Sequence, residues 1–290
     1  MSTTVLPSTP RLAPLYVKAV LGAALPGRGP RELPDTVLVR EDVTVDRDHL
    51  AEYDRICGFP LTDTLPPTYL HVLGFPLQLA LMTSRGFPLP LPGLVHIRNV
   101  IIARRSVGIG ERLAIRVHAE RYGPHPRGAQ VDLVTEVSSA DGRVWEGHST
   151  YLSRGARAPD RPQPDSPPEP ELVETPVPAA VWQVATGVGR RYAAVSGDVN
   201  PIHLHPLAAR AFGFPRTIAH GMWTAARALA TVYGRLGGIG ELTYDVAFGK
   251  PLLLPSTVEL RTQPVNGGWN LDVRSASTGS VHLRAALRSG

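Results

Sequence analysis

The segment Tyr192–Met222 reads YAAVSGDVNPIHLHPLAARAFGFPRTIAHGM, and it decides how the rest of the chain is interpreted. It combines an acid, an amide, three histidines and several glycines with little other charge. Pro201 fixes its own backbone and holds Asn200 extended, so the side chains of Asp198 and His203 can converge. The alternative is an ordinary Asp/Asn-Pro turn with a hydrogen-bonded histidine beneath it.

The elements around this segment have counterparts in the first half of the chain. These are Tyr53 and Gly58 for Tyr192 and Gly197 at an offset of 139, and Thr68 and His71 for Thr217 and His220 at an offset of 149. The first half is therefore ten residues shorter between the two anchors. Its segment 58–68, GFPLTDTLPPT, is too short to carry Asp-x-Asn-Pro-x-His. We therefore expect two repeats and one site per chain.

Each repeat reads as a short opening strand, a helix, a central apolar helix and about four antiparallel strands. Alternation of apolar and polar residues predicts strands at 94–103, 112–122, 129–139, 143–153, 241–249, 257–265, 269–277 and 280–288. The turns at 140–142 (ADG) and 266–268 (NGG) are typical of hairpins. The central helices are expected at 74–82 with its flanks and at 221–233. Strands grouped after helices favour an α+β fold in which a curved sheet wraps one long helix.

A proline-rich segment divides the two repeats. Residues 156–178 hold eight prolines and several acids, which neither a helix interior nor a β-ladder tolerates. We expect a first domain at 1–155, a linker at 156–178 and a second domain at 179–290.

Composition narrows the function classes. The single cysteine, Cys57, excludes a disulfide framework and favours a reducing compartment. The net charge of +5 comes from scattered arginines without interleaved aromatics, which argues against nucleic acid and suits an anionic handle or an acidic carrier protein. No run approaches the ~18 apolar residues of a membrane helix, and the N-terminus does not resemble a signal peptide. We expect a cytoplasmic protein without membrane contact.

The quoted segment contains the parts of an acid–base site. A carboxylate and an imidazole that share one water form a proton-transfer pair, and Asp198 with His203 would be that pair. Gly221 opens the second central helix, where a free N–H can hold a developing oxyanion. Adding water across a conjugated thioester needs these parts and no metal or redox cofactor. His203, His205 and His220 lack an accompanying cysteine or acid cluster, so a metal site is not expected.

The run Y-A-x-x-S-G-D-x-N-P-I-H, followed by G-F and H-G-M, resembles the signature of the MaoC-like (R)-specific enoyl-thioester hydratase/dehydratase family. That family has the hotdog fold, and the whole chain resembles its double-hotdog members with one degenerate and one complete half. The resemblance implies that Asp198 and His203 are the catalytic pair and that Gly221 supplies the oxyanion N–H. It also implies that the shortened half leaves room for an acyl tunnel. Leu204 is followed here by His205, where the family usually has Leu-Asp.

Further side chains complete the expected substrate site. The resemblance also suggests that Asn200 and Ser196 buttress the loop, and we expect His220, Met222 and Thr224 beside the substrate. The Thr224 hydroxyl has two interpretations, since it can bind the thioester or its own helix backbone. Candidate contacts for a phosphate handle are Arg104, Arg105 and Arg210.

The predicted reaction is the reversible dehydration of an (R)-3-hydroxyacyl thioester to the trans-2-enoyl thioester, a lyase reaction of fatty-acid or related acyl metabolism. In hydration, Asp198 would take a proton from water and His203 would deliver one to Cα. The thioester would be carried by CoA or by acyl carrier protein. The alternatives are a hotdog that binds acyl thioesters without turnover and a hotdog thioesterase. An unpaired sheet edge leaves pairing with a second chain open.

Overall fold

The computed structural model of the chain describes residues 2–23, 32–159, 168–175, 177–235 and 240–290. The first half contains β1 (Ser2–Val5), α1 (Leu12–Ala23), β2 (Thr36–Val43), α2 (Arg47–Cys57), α3 (Pro67–Met82), β3 (Leu94–Ala103), β4 (Leu113–His125), β5 (Gly128–Ser139) and β6 (Gly142–Arg154). The second half contains β7 (Ala180–Val184), α4 (Val188–Ser196), α5 (Pro201–Leu204), α6 (Pro206–Ala211), α7 (Gly221–Tyr233), β8 (Leu242–Phe248), β9 (Ser256–Val265), β10 (Gly268–Ser275) and β11 (Val281–Ser289).

All of these strands join one sheet in the order β1-β2-β4-β5-β6-β3-β8-β11-β10-β9-β7. Reading outward from the antiparallel β3–β8 pair, the order on one side repeats the order on the other. Two copies of one plan therefore meet edge to edge, and β1 adds a parallel strand outside the first copy. The predicted α+β class and the two-repeat organisation are confirmed.

The turn residues that marked the repeats have matching conformations. Gly58 and Gly197 both lie in the left-handed region, with φ of 81° and 71°, and each ends a helix by donating its N–H to the carbonyl four residues back. Glycine suits this cap because it has no Cβ to clash there. Gly142 and Gly267 also have positive φ in the two predicted hairpins. The positional pairing of the repeats thus corresponds to equivalent backbone geometry.

The core lies between the sheet and the two central helices. Nearly every side chain of α3 is buried, and a Cβ on Gly74 would lie 2.6 Å from Thr135 of β5. This close approach of helix to strand requires glycine at that position. In α7 the residues that are completely buried are small or medium in size, namely Ala225, Ala226, Ala228, Leu229 and Val232. Such residues let a helix lie close against a curved sheet.

The two halves are tied together by packing and by ion pairs, the shorter of which joins the neighbouring strands β3 and β8. Arg98 of β3 forms a bidentate contact with Asp245 of β8, with a shortest N–O distance of 2.6 Å. Bidentate geometry and partial burial make such a pair stronger than an exposed one. Nearby, the rings of Tyr53 and Tyr192 are 6.3 Å apart. The repeats therefore share one interior.

Part of the predicted linker can be described. Residues 168–175 form no helix or strand, and Val173 donates its N–H to Asp272 at 2.8 Å while its carbonyl accepts from Arg274. Residues 160–167 and Pro176 lie outside the described residues. The domain limits of 1–155 and 179–290 remain a prediction.

The N-terminal region differs from expectation. The short opening strand predicted for the first repeat is β2, which spans Thr36–Val43. Sequence reasoning assigned no element before it, yet β1 and α1 are present there. None of the helices in the described part of the chain combines the length and apolar character that crossing a lipid bilayer requires.

Candidate active site

The site is built where α4 ends and the inserted segment begins. The left-handed cap at Gly197 turns the chain so that Asp198 follows directly, and the Asp198 N–H donates to Ser196 Oγ at 3.2 Å. Two Asx turns come next, because the N–H of Asn200 donates to Asp198 Oδ1 and Asn200 Oδ1 accepts from the N–H of Ile202. Pro201 then starts α5, and the loop is fixed by its own hydrogen bonds.

Asp198 is held as a carboxylate with one oxygen fully used. Its Oδ1 accepts from the Tyr16 hydroxyl at 2.8 Å and from the Asn200 N–H at 3.2 Å. Burial alone would raise the pKa of Asp198, but the imidazoles of His220 and His203 and these two hydrogen bonds lower it below its ordinary value. The side chain is 30% exposed and lines the cavity, so Oδ2 is the oxygen left for a substrate or water.

His203 is a neutral imidazole whose orientation is set by the backbone. Its Nδ1 donates to the carbonyl of Ile218 at 2.8 Å, which leaves Nε2 with a lone pair. Burial lowers the pKa of His203, partly offset by the charge of Asp198. A Cβ on Gly189 would lie 2.4 Å from the His203 carbonyl oxygen, so glycine there lets α4 pack against the loop. Such a ring is suited to accept a proton.

His220 orders the same cluster from the start of α7. Its Nε2 donates to the backbone carbonyl of Asp198 at 2.8 Å, and its ring stacks on that of His203 with centroids 3.7 Å apart. Burial and the neighbouring His203 lower the pKa of His220 to about 3. The residue is thus a neutral positioning group.

Gly221 is the first residue of α7, and its position cannot hold a side chain without rearrangement. An added Cβ would lie 2.9 Å from the ring of Phe248. No side chain caps this helix end, so the first N–H groups are available and carry the positive end of the helix dipole. This arrangement can hold a carbonyl oxygen as negative charge develops on it.

The other predicted site residues reach the cavity, but several of them already use their polar groups within the protein. Ser196, Asn200, His220, Met222 and Thr224 all line the same cavity as the pair. Ser196 and Asn200 use their side chains within the loop, and the Thr224 hydroxyl donates to the His220 carbonyl at 3.3 Å. The Thr224 hydroxyl was expected to bind either the thioester or its own helix backbone, and the hydrogen bond to His220 is the second of these. Their roles toward a substrate remain predictions.

Tyr16 is the residue that sequence reasoning missed. It lies in α1, outside both repeats, and places its hydroxyl on the predicted catalytic carboxylate. Leu12, one turn earlier, packs where a Cβ of Gly197 would be, so the helix docks on the cap that precedes Asp198. The signal that the sequence offered was an apolar run with a tyrosine, in a part of the chain that belongs to neither repeat. Spacing could not connect it to a residue 182 positions away.

A cavity of about 1330 Å³, including its open mouth, runs from this cluster into the first half. On that side apolar side chains line it, namely Val72, Phe75, Leu79, Met82, Leu91, Leu94 and Val95. Its exposed lining residues include Arg154 and Lys250. The cavity therefore has a charged mouth, a polar middle and an apolar end.

The wall facing the pair also carries buried histidines. His71 and His96 lie with ring centroids 5.9 Å apart, and His96 stacks on Tyr151 at 4.6 Å. Burial lowers the pKa of His71 to about 4 and that of His96 to about 3. These rings are neutral at physiological pH, so the facing wall adds no cation that would compete for Asp198.

Atoms of Asp198, His203 and His220 lie within 4.8 Å of one another, close enough to hold a metal ion. Two of the four ring nitrogens already bond to backbone carbonyls. His205, also weighed as a ligand, instead accepts the Leu207 N–H at the start of α6. A carboxylate and a neutral imidazole in this arrangement can move a proton without further groups.

Comparison with known proteins identifies the class. The family model described as "MaoC like domain" matches residues 172–284, which contain Asp198, His203 and His220. A curated protein, 3-hydroxyacyl-thioester dehydratase X of Mycobacterium tuberculosis, is 38% identical over 258 residues, covering 89% of this chain and 90% of the relative. The chain belongs to the MaoC-like dehydratase family.

Solved structures agree on the architecture. The crystal structure of HtdX of Mycobacterium tuberculosis has a TM-score of 0.77 and 36% identity, covering 88% of this chain and all of that one. A MaoC-like dehydratase of Phytophthora capsici has a TM-score of 0.76 at 18% identity, covering 89% and 96%. A double-hotdog protein of Mycobacterium tuberculosis has a TM-score of 0.54 at 14% identity, covering 85% and 93%. The predicted double hotdog is confirmed.

Proposed function

We propose that this chain catalyses the reversible dehydration of (R)-3-hydroxyacyl thioesters to trans-2-enoyl thioesters. The observation that carries the proposal is that one cavity holds three groups suited to this reaction. They are the ionised carboxylate of Asp198, the neutral imidazole of His203 with its free lone pair, and the uncapped helix N-terminus at Gly221. The dehydratase name of the 38% identical relative supports the same reaction. A cytoplasmic location and a second chain as partner are further parts of the prediction.

The proton states suggest how the pair divides the work. In dehydration, His203 Nε2 takes the proton from Cα, and the electron pair of that C–H bond moves to the thioester carbonyl as an enolate. The C–O bond at Cβ then breaks, and the imidazolium gives its proton to the leaving hydroxyl, which departs as water. Asp198 accepts a hydrogen bond from this hydroxyl through Oδ2 and stabilises the imidazolium by its charge.

This assignment refines the expectation drawn from the sequence. The sequence interpretation has Asp198 remove the proton of the attacking water during hydration. The lowered pKa of Asp198 makes it a weak base, whereas the lone pair on His203 can take that proton. Asp198 then orients the water, and the cycle begins and ends with the same protonation states.

The enolate and the acyl chain use separate parts of the cavity. The negative oxygen would lie at the start of α7, where the Gly221 N–H and the helix dipole stabilise it. The acyl chain would extend along Val72, Phe75 and Leu79 of α3, in the half that lacks the catalytic loop. Burial of each methylene contributes about 0.8 kcal/mol, so this wall would favour longer chains.

The carrier end of the thioester would lie at the mouth. Lys250 and Arg154 are exposed there and suit the phosphate of a pantetheine arm. The arginines expected for this role do not line the cavity. Arg105 is paired with Glu111 at 2.8 Å and with Asp141, and Arg104 lies 3.9 Å from Glu241.

The test follows the absorbance of a conjugated enoyl thioester while a thiol reagent is present. We expect crotonyl-CoA and a longer trans-2-enoyl-CoA to lose absorbance without releasing thiol, and (R)-3-hydroxyacyl-CoA to gain it. Thiol release would indicate the thioesterase alternative. Binding of the thioester without either change, on CoA and carrier-protein substrates alike, would leave the non-catalytic alternative.

A further inference from the structure

One segment of the second repeat is rich in arginine and poor in acidic residues. Between Thr175 and Gly240 the sequence holds six arginines and a single acid, Asp198, whose carboxylate lines the cavity. Four of these arginines are exposed on α4, α6 and the segment after α6, namely Arg190, Arg191, Arg210 and Arg216. Six arginines against one acid give residues 175–240 a formal charge of +5.

The arginines are positioned but not neutralised. Arg190, Arg210 and Arg216 donate to the backbone carbonyls of Leu204, Pro215 and Pro255, respectively, at 3.2 to 3.5 Å. Within the described part of the chain, none of the three forms a salt bridge with a carboxylate. By contrast, exposed arginines in the first repeat such as Arg47 and Arg55 have acidic partners. Three unneutralised cations on one side attract an acidic partner over roughly a Debye length.

Apolar side chains lie among these cations. Leu207 is 64% exposed and Phe212 is 47% exposed, and both belong to α6 or its C-cap. Interfaces typically combine an apolar centre with a charged rim that steers association. We call the surface formed by Arg190, Leu207, Arg210, Phe212 and Arg216 the α6 face.

The α6 face adjoins the entrance of the cavity. Phe214, between Arg210 and Arg216, lines the cavity, as does Ile202 of α5. Arg216 is bonded to Pro255 in the same segment that carries the mouth residues Lys250 and Pro251. A partner seated on this face could therefore pass a thioester arm directly into the mouth.

We propose that the α6 face is the docking surface for an acidic acyl carrier protein. This rests on the proposed function and specifies its substrate as carrier-bound rather than free. An acidic helix of the carrier would meet the three arginines, an apolar side chain of that helix would contact Leu207 and Phe212, and the phosphopantetheine arm would enter past Lys250. Free CoA has no acidic helix with an apolar side chain to cover this face, so the face would discriminate between the two carriers.

The experiment compares one acyl group on three carriers: acyl carrier protein, CoA and N-acetylcysteamine. In Arg210→Glu/Arg216→Glu we expect kcat/KM for the carrier-protein thioester to fall at least tenfold and to lose its salt dependence. Turnover of the N-acetylcysteamine thioester should stay within twofold of wild type. Arg55→Glu/Arg112→Glu, the same change of four charges at two exposed arginines of the first repeat, serves as the control and should leave all three unchanged.

Equal losses on all three carriers, or no loss on the carrier protein, would overturn the docking proposal while leaving the reaction intact. Failure of wild type to turn over any thioester would instead refute the proposed function. Binding of acyl carrier protein to the Asp198→Asn variant is therefore also measured, by fluorescence anisotropy. We expect the Arg210→Glu/Arg216→Glu changes to weaken this binding at least tenfold, and unchanged binding would overturn the proposal.

Discussion

The two repeats share a frame and differ in one inserted segment. In the first, residues 59–66 connect the helix cap at Gly58 to α3 without a helix. In the second, residues 198–220 connect the equivalent cap to α7 and include α5 and α6. The helices and the strand order are otherwise the same. The comparison teaches that the sheet and central helix define the fold, whereas Asp198, His203 and His220 come from the insertion.

Equivalent positions in the two central helices make the difference concrete. By the offset of 149, Val72 occupies in α3 the place that Gly221 occupies in α7. Val72 is buried and contributes an apolar surface to the cavity, whereas Gly221 leaves the helix N-terminus open beside Phe248. One position thus serves acyl binding in one repeat and would serve oxyanion binding in the other.

The largest expected effect comes from removing the pair. His203→Ala and Asp198→Asn should each lower kcat for hydration by about 10²- to 10⁴-fold, because the proton acceptor or its charged partner is lost. Asp54→Asn, in the first repeat's helix α2, should retain activity within about threefold. Enoyl-thioester absorbance measures all three. Comparable losses in all of them would break the assignment of chemistry to the insertion.

The glycine at the start of α7 should have the next largest effect. Gly221→Ala should lower kcat by about 10²-fold, because the new methyl meets the Phe248 ring and displaces the helix N-terminus. Adding Phe248→Leu should recover part of the loss by making room. Steady-state kinetics on one enoyl-CoA provides the comparison. No recovery in the double variant would mean that steric displacement is not the cause.

The Tyr16 hydroxyl tests whether a residue outside both repeats belongs to the site. Tyr16→Phe should lower kcat about tenfold, since a hydrogen bond to a charged group is lost. It should also raise the pKa of Asp198, so activity should begin to fall at a higher pH on acidification than in wild type. Tyr233→Phe, which removes a hydroxyl without a hydrogen-bond partner among the described residues, is the control. An unchanged pH–rate profile and kcat would contradict the assigned contact.

The smallest effect concerns stability. Asp54 in α2 is buried, neither carboxylate oxygen has a partner among the described residues, and burial raises its pKa from 3.8 to about 7. The folded protein keeps a proton there that the unfolded chain releases above pH ~4. Stability from this group is therefore present at low pH and lost as pH rises to about 7.

Asp54→Asn should remove that loss of folding stability at higher pH, because the asparagine side chain does not titrate. At pH 8 the variant should be more stable than wild type by on the order of 3 kcal/mol, with little difference below pH 4. Chemical denaturation at the two pH values measures the free energy of unfolding. The same difference at both would show that Asp54 does not titrate as its burial requires.

Much of the fold could be predicted because its signals are local. Alternating residues define strands such as β3 and β9, and an Asp-Gly or Asn-Gly turn sets the β5–β6 and β9–β10 hairpins. The paired glycines at 58 and 197 revealed the repeat because a left-handed cap needs that residue wherever it occurs. The first central helix was placed within its true limits, although it starts earlier, at Pro67.

The site was predictable only where its residues are close in sequence. Asp198, His203 and Gly221 fall within one segment, so spacing and resemblance could indicate them together. Tyr16, His96 and Tyr151 reach the same cavity from α1, β3 and β6, and nothing local marks that convergence. The proton states were also beyond sequence, since they depend on burial and on which carbonyl each ring nitrogen meets.

The β3–β8 ladder and its Arg98–Asp245 pair make the two repeats parts of one polypeptide with a shared interior. In a symmetric dimer of single repeats, every substitution would appear on both sides of the cavity at once. Here a change at Val72 leaves Gly221 untouched, and a change in the catalytic loop leaves the acyl wall untouched. Substrate length and chemical step can therefore be altered independently, which gives an engineer two separate controls within a single gene product.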